Sequence, residues 1–294
     1  MYQKALPIYN IEKFNYPAKE KYFYACEASK HIKKFNFIRE FHIHDHYVTI
    51  LCTQGSGVHE VNFKPYEVKP GSIFLLSPGQ AHGWKFSEDA DGYVVLHDKD
   101  FYNLNYNSKK IQDYPFFCSN LNSPEILLKN NEFDKVRLIF ADIIEENKQQ
   151  YLLKNQRICS LLDILYIYLT RLYIPKKQIG LENQAYLIKL RTLEELIDEH
   201  FRDKKDASYY ANEMHVSLKH LNRICKLTLN KTTSDLISER LMLEAKRLLA
   251  SGHYSVEEVA SAVGYFDQSY FSRVFKSKSG FSPLDFIKKY RGHS

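Results

Sequence analysis

Arg273 and Lys276 stand among Gln268, Ser269 and Ser272, with no carboxylate between Gln268 and Lys276. Ser269, Ser272, Arg273 and Lys276 follow the spacing i, i+3, i+4, i+7, which is one face of a 3.6-residue helix. Phe271, Val274 and Phe275 make the opposite stripe. A helix that buries one side and offers amide, hydroxyl and guanidinium groups on the other carries the donors and acceptors that read base edges in a DNA major groove. The pattern recurs about fifty residues earlier. Ser217 to Asn230 (SLKHLNRICKLTLN) aligns with Asp267 to Gly280 (DQSYFSRVFKSKSG), matching Arg223 with Arg273, Lys226 with Lys276 and Leu221 with Phe271. In that first copy Lys219, Asn222, Arg223 and Lys226 face outward, and Leu221, Ile224, Cys225 and Thr228 face inward. Guanidinium fits guanine O6/N7 and a carboxamide fits adenine N6/N7. The bland alternative is a helical bundle with solvated basic faces. Two acid-free faces, each after a tight turn, speak against it.

A second group of reactive side chains lies near the N-terminus. His42, His44 and His46 alternate along one strand-like run and so project from one face, which Val48, Ile50 and Cys52 continue. His82 and Trp84 follow the turn at Pro78-Gly79. Such imidazoles hold a metal, line an organic-ligand pocket or sit satisfied in a core, and residue types alone leave all three readings open. We assign His42, His44, His46, His82 and Trp84 to an effector pocket, and assign no metal and no catalytic residue.

Three zones must position these groups. Between residues 20 and 100, short strand-like runs alternate with turns, as in an all-β sandwich or barrel. Phe41 to Thr53 reads as a strand, residues 54–57 turn it, Val58 to Phe63 returns, and Lys64-Pro65 turns again. Ile73 to Leu76 follows Lys69-Pro70-Gly71, and Ser77-Pro78-Gly79 breaks the chain once more. Between residues 123 and 173 the period becomes helical. Ser123-Pro124 reads as a helix start. One stripe holds Phe133, Val136, Phe140, Ile143 and Ile144; another holds Ile158, Leu161, Leu162, Leu165, Leu169 and Leu172. Residues 174–184 carry a proline and a glycine and read as a linker.

Everything from 185 onward reads helical. Ser255 with Glu258 makes a capping box; Ser217, Asp267 and Ser282 are further caps; Asn230 and Gly280 suit left-handed helix stops. Thr233 to Ser251 carries the apolar stripe Ile237, Leu241, Ala245, Leu248. A helix of that length spans roughly 27 Å, close to the ~34 Å between successive major grooves on one DNA face.

Composition sets the bounds. The 294 residues suit about two domains, and 44% hydrophobic residues suffice for a buried core. The net charge of +6 permits nucleic-acid binding without demanding it, and the cationic excess is denser beyond residue 184. Five cysteines, none in a C-x-x-C pair, point to free thiols in a reducing cytoplasm. The N-terminus lacks the apolar run of a signal peptide, and residues 161–174 are too short and too charged to span a bilayer.

The segment from about 185 to 291 resembles the DNA-binding domain of AraC-type (AraC/XylS) transcription regulators. Val259-Ala260 to Gly264-Tyr265 matches Ile/Val-Ala-x-x-x-Gly-Tyr/Phe. Ser269 to Lys276 matches Ser-Tyr-Phe-Ser-Arg-x-Phe-Lys, and Gly280 to Pro283 matches Gly-x-Ser-Pro. The first copy departs from this pattern at Cys225, Asn230 and Thr232-Thr233, with its reading face intact. The resemblance implies that Lys219, Asn222 and Arg223, with Gln268, Ser269, Ser272 and Arg273, read bases, and that Lys226 and Lys276 touch phosphate. Residues 35–97 resemble a cupin barrel, in which a His-x-His strand and a Pro-Gly-x-x-His segment meet at the mouth. Metal cupins add a carboxylate about four residues on. Counted from His46, that place falls at Ile50 or Leu51, so an iron, manganese or nickel site lacks an oxygen ligand, whereas a three- or four-histidine zinc site keeps its donors.

The expectation is therefore an α+β multidomain chain. A cupin-like, effector-sensing β-barrel covers 1–125, a helical dimerisation segment 126–173, a linker 174–184 and an all-α tandem helix-turn-helix domain 185–294. The expected activity is sequence-specific transcription regulation through helices 217–229 and 268–279, without enzymatic turnover or cofactor. Implied partners are duplex DNA, a small effector, a second copy of the chain and RNA polymerase, with no membrane. A metal-dependent cupin enzyme with a DNA-binding tail is the alternative, and a regulator with a filled, ligand-blind barrel is a third.

Overall fold

The computed structural model describes residues 6–15, 21–103, 110–119, 122–173 and 181–291, with backbone alone at residues 15, 36, 37, 181–184 and 291. Contacts divide it into two compact units, one from the described residues of 8–179 and the other mainly from those of 180–294.

The first unit begins with β1 (Ile8–Tyr9), α1 (Glu12–Asn15), β2 (Phe23–Glu27) and α2 (Ala28–Lys34). The strands β3 (His42–His44), β4 (Tyr47–Gln54), β5 (Gly57–Val61), β6 (Lys64–Val68), β7 (Ser72–Leu76), β8 (Ala81–Phe86) and β9 (Asp91–His97) follow. After α3 (Lys99–Asn103) come β10 (Glu125–Leu127), α4 (Asn130–Lys148) and α5 (Lys154–Tyr173). The strands form two five-stranded sheets, ordered β1-β3-β8-β5-β6 and β10-β7-β4-β9-β2. Every strand pair is antiparallel except β1 with β3.

β4 is buried on both faces, so its sequence reads as a continuous apolar run rather than an alternation. Val48, Ile50 and Cys52 point between the sheets, joining Phe14, Phe74, Leu76, Trp84, Val94 and Leu96. Tyr47 and Leu51 point the other way, into a second core that α4 and α5 close with Val136, Phe140, Ile143, Ile158, Leu162, Leu165 and Leu169. The apolar stripes of these two helices thus pack largely against the barrel of their own chain, with Phe133, Leu161 and Leu172 only partly buried. Leu138 on α4 and Ile164 on α5 stay exposed.

Four local expectations need correction. Phe41 to Thr53 is not one strand: β3 and β4 belong to different sheets, and the chain bends at Asp45-His46 between them. The β5–β6 turn is Asn62-Phe63, both at positive φ (49° and 65°) as a two-residue hairpin requires; Lys64-Pro65 already opens β6. Ser123-Pro124 leads into β10, an edge strand against β7, so the sheet runs past residue 125 and α4 starts only at Asn130. Of the linker, residues 174–180 lie outside the described residues, and residues 181–184 already form the first turn of a helix.

That helix is α6 (Leu181–His200), followed by α7 (Ala207–Glu213), α8 (Leu218–Leu229), α9 (Thr233–Ser251), α10 (Val256–Ala262), α11 (Gln268–Ser279) and α12 (Pro283–Arg291). α9 touches α6, α7 and α8 as well as α10, α11 and α12, so one helix carries both halves of the unit. Leu236, Ile237, Leu241, Ala245 and Leu249 bury its apolar side. On α9, Arg240 pairs with Asp198 of α6 and with Glu244 (2.9 Å), while its guanidinium carbon lies 4.2 Å from the Phe201 ring centroid.

Candidate functional site

The two reading helices start and stop at chemically defined points. The Ser217 hydroxyl accepts from the His220 N–H (3.2 Å) and the Asp267 carboxylate from the Tyr270 N–H (2.5 Å), so α8 and α11 each begin on a side-chain cap. Asn230 (φ 56°) and Gly280 (φ 80°) end them in the left-handed region. Inward residues Leu221, Ile224, Cys225, Phe271 and Phe275 are fully buried. Thr228 is half-buried and donates its hydroxyl to the Ile224 carbonyl (2.8 Å).

Opposite these stripes, Lys219, Arg223 and Lys226 on α8 and Gln268, Ser269, Arg273 and Lys276 on α11 are exposed. Ser272 is half-buried. The Arg273 guanidinium carbon lies 5.9 Å from the Tyr270 ring centroid, one turn away. Asn222 also makes a contact within the domain. Its side-chain oxygen accepts from the Thr233 N–H (2.9 Å), clamping α8 to the first turn of α9. Phe266, fully exposed just before α11, and Tyr270 escaped sequence reasoning because apolar residue types are normally assigned to a core.

Each reading helix is set by a left-handed residue in the preceding turn, His215 (φ 53°) in the first unit and Gly264 (φ 74°) in the second. At Gly264 a Cβ would lie 2.4 Å from the Arg202 carbonyl oxygen. The glycine of the family motif is there because backbone meets backbone.

In the barrel, β3 and β8 pair so that His42 stands opposite His82. The His42 and His44 Nε2 atoms are 3.0 Å apart, and His59 Nε2 is 2.9 Å from His82 Nδ1. His42 Nδ1 lies 2.7 Å from the Glu40 carbonyl. Trp84 stacks on His59. His46 sits at the bend, not on the strand, yet its ring centroid is 4.6 Å from that of His44. His42, His44, His46, His82 and Trp84 are all buried and do come together, joined by His31 from α2 and His59 from β5. Sequence parity hid His59: Val58 and Val61 are out of phase, and the structure turns Val58 outward and His59 inward. Desolvation pushes His42 down to about 4 and His31 to about 3, and holds His44, His59 and His82 well below the ordinary imidazole value. These rings are neutral at pH 7. The cavity beside them measures about 30 Å³.

Two family models match the chain, an AraC-like ligand binding domain over residues 28–166 and a helix-turn-helix domain over residues 210–289. The chain belongs to the AraC family of transcription regulators. The HTH-type transcriptional activator RhaS of Shigella sonnei (strain Ss046) is 24% identical over 256 residues, covering 83% of this chain and 86% of RhaS. RhaR of Cronobacter sakazakii (strain ATCC BAA-894) is 22% identical, covering 82% and 84%. A crystal structure of ToxT from Vibrio cholerae with an unsaturated fatty acid bound matches at TM-score 0.43 and 15% identity, covering 94% of this chain and 98% of ToxT.

AraC-family proteins are regulators rather than enzymes, so the cupin-enzyme alternative falls and the chain is a DNA-binding transcription regulator with a ligand-binding β domain ahead of its helices. No helix among the described residues is long and apolar enough to cross a membrane. Cys26 is partly buried and Cys52, Cys118, Cys159 and Cys225 are buried, all as free thiols.

Proposed function

We propose that this regulator reads two successive major grooves with α8 and α11, and that a small ligand in the barrel shifts the population of DNA-competent geometries. The observation that carries the reading is the pair of exposed, acid-free faces on two helices carried by one connector, α9. Lys219, Arg223, Gln268, Ser269, Ser272 and Arg273 contact bases, Asn222 does so through its amide NH2, and Lys226 and Lys276 contact phosphate. Residues 1–125, extended to the end of β10, form the sensor, and the helices within 126–173 carry dimerisation through surface left outside the barrel core. A linker within 174–184 joins them to the DNA-binding domain, 185–294. The named activator relatives support an upstream partner in RNA polymerase, and free thiols support a cytoplasmic site of action.

Anisotropy of a labelled promoter duplex against the full chain tests this reading. Affinity should fall steeply as salt rises, because neutralised phosphates release counterions. Binding that is absent on every promoter fragment, or insensitive to salt, would contradict it.

A further inference from the structure

The barrel contains an arrangement that the regulator reading does not require. His42, His44 and His82 each offer a ring nitrogen, and these atoms all lie within 4.8 Å of one another. A tetrahedral centre with N–metal bonds near 2.1 Å needs ligand atoms about 3.4 Å apart, so modest ring rotations bring the three nitrogens to bonding distance. We propose that this barrel is a binding site for a divalent first-row transition-metal ion, held by His42, His44 and His82. The proposal rests on the sensor reading of the barrel and names the class of ligand it takes.

Three observations support it. The first is orientation from behind the ligands. His42 donates its Nδ1–H to the Glu40 carbonyl, which leaves a lone pair on Nε2. His82 Nδ1 bonds His59 Nε2, and His82 Nε2 has no partner among the described residues. Ligating histidines are usually fixed this way, through the ring nitrogen that does not face the metal. The second is unmet polarity. His82 Nε2, one of the three proposed ligand atoms, is buried and without a hydrogen-bond partner among the described residues. Core histidines kept for packing alone normally satisfy their ring nitrogens. Metal binding also ends the close approach of the His42 and His44 Nε2 atoms: His44 then carries its proton on Nδ1, and both Nε2 lone pairs face the ion. The third is size. Organic-ligand pockets run to roughly 300–1,000 Å³, whereas about 30 Å³ has room for one or two waters completing a metal's shell. Neutral imidazoles on a dry wall suit zinc, cobalt or copper rather than calcium or magnesium, which prefer oxygen.

The full-length chain, stripped with chelator, is titrated with Co2+ and then Zn2+. We expect one Co2+ per chain with the visible d–d bands of a low-coordinate nitrogen site, displaced by one Zn2+. His44→Gln and His82→Gln should each weaken uptake at least tenfold. His59→Gln, a change behind the ligands, should weaken it by about 10- to 100-fold while the site still gives a cobalt spectrum. The chain has twelve histidines, so uptake without the d–d bands, or uptake unchanged in His44→Gln and His82→Gln, is adventitious and overturns the proposal. So does wild-type protein that takes up no metal. Promoter binding is measured on the same samples. Intact DNA binding with no metal sinks the metal site alone, whereas loss of DNA binding from every sample sinks the regulator reading.

Discussion

Gly264→Ala should selectively destabilise the C-terminal unit. The residue sits at φ 74°, where a side chain costs about 1–2 kcal/mol. The new Cβ would also lie 2.4 Å from the Arg202 carbonyl oxygen, a backbone atom that cannot rotate away. Relieving that overlap adds about 1–3 kcal/mol, and the stiffer unfolded chain returns about 0.4–1. The net loss is about 2–4 kcal/mol. Gly280→Ala provides the control, because its φ is 80° but nothing lies within 4 Å of an added Cβ. It should lose only about 1 kcal/mol, and Gly280→Asn less, since Asn230 already fills the matching place in the first unit. Urea unfolding followed by two probes reads the difference. Far-UV circular dichroism includes the C-terminal helices. The single tryptophan, Trp84, lies in the barrel and reports that unit alone. The dichroism transition should move to lower urea in Gly264→Ala while the Trp84 transition stays. A Gly264→Ala variant within about 0.5 kcal/mol of Gly280→Ala would refute the argument from the carbonyl contact.

Other expectations follow from single contacts. Asn222→Ala removes the acceptor for the Thr233 N–H and should destabilise the C-terminal unit by about 1–2 kcal/mol; Asn222→Asp, which keeps an acceptor, should recover most of that in urea unfolding, and equal losses would remove the clamp from the account. Arg273→Ala should relax base preference by about 1–3 kcal/mol in competition binding, whereas Lys276→Ala should lower affinity evenly and reduce the salt slope by about 1; swapped outcomes would swap the two roles. Burial holds His97 down at about 4 from its ordinary 6.5. The unfolded chain therefore binds more protons between those values, so stability falls as pH drops through this window, by about 3 kcal/mol for this site. His97→Gln should flatten the pH dependence of the Trp84 transition by that amount, and an unchanged dependence would show that His97 contributes nothing.

The C-terminal half was the more legible part of the chain for a physical reason. Its helix ends are written in local chemistry: Ser217, Ser255, Asp267, Asn230 and Gly280 cap or stop helices using atoms within three or four residues. Thr233–Ser251 is bounded in the same local way, by a capping Thr232 and a left-handed Gly252. The barrel was legible only in outline, since strand pairing is non-local. Val48 and Ile50 do line one cavity with His42 and His44, but from the opposite sheet and not along one strand. The stripes on α4 and α5 were visible, yet an apolar stripe carries no label for what covers it, and the barrel claimed it. The structural contact of Asn222 was hidden because its partner, Thr233, is eleven positions away.

Hydroxyl-radical footprinting of the full chain on a bound promoter tests the central claim most directly. If α8 and α11 each enter a major groove on one face of the duplex, each bound chain protects two short patches centred about 10–10.5 base pairs apart. Arg223→Ala should weaken one patch and Arg273→Ala the other. A single patch per chain that only Arg273→Ala affects, with Arg223→Ala silent, would contradict the two-groove account.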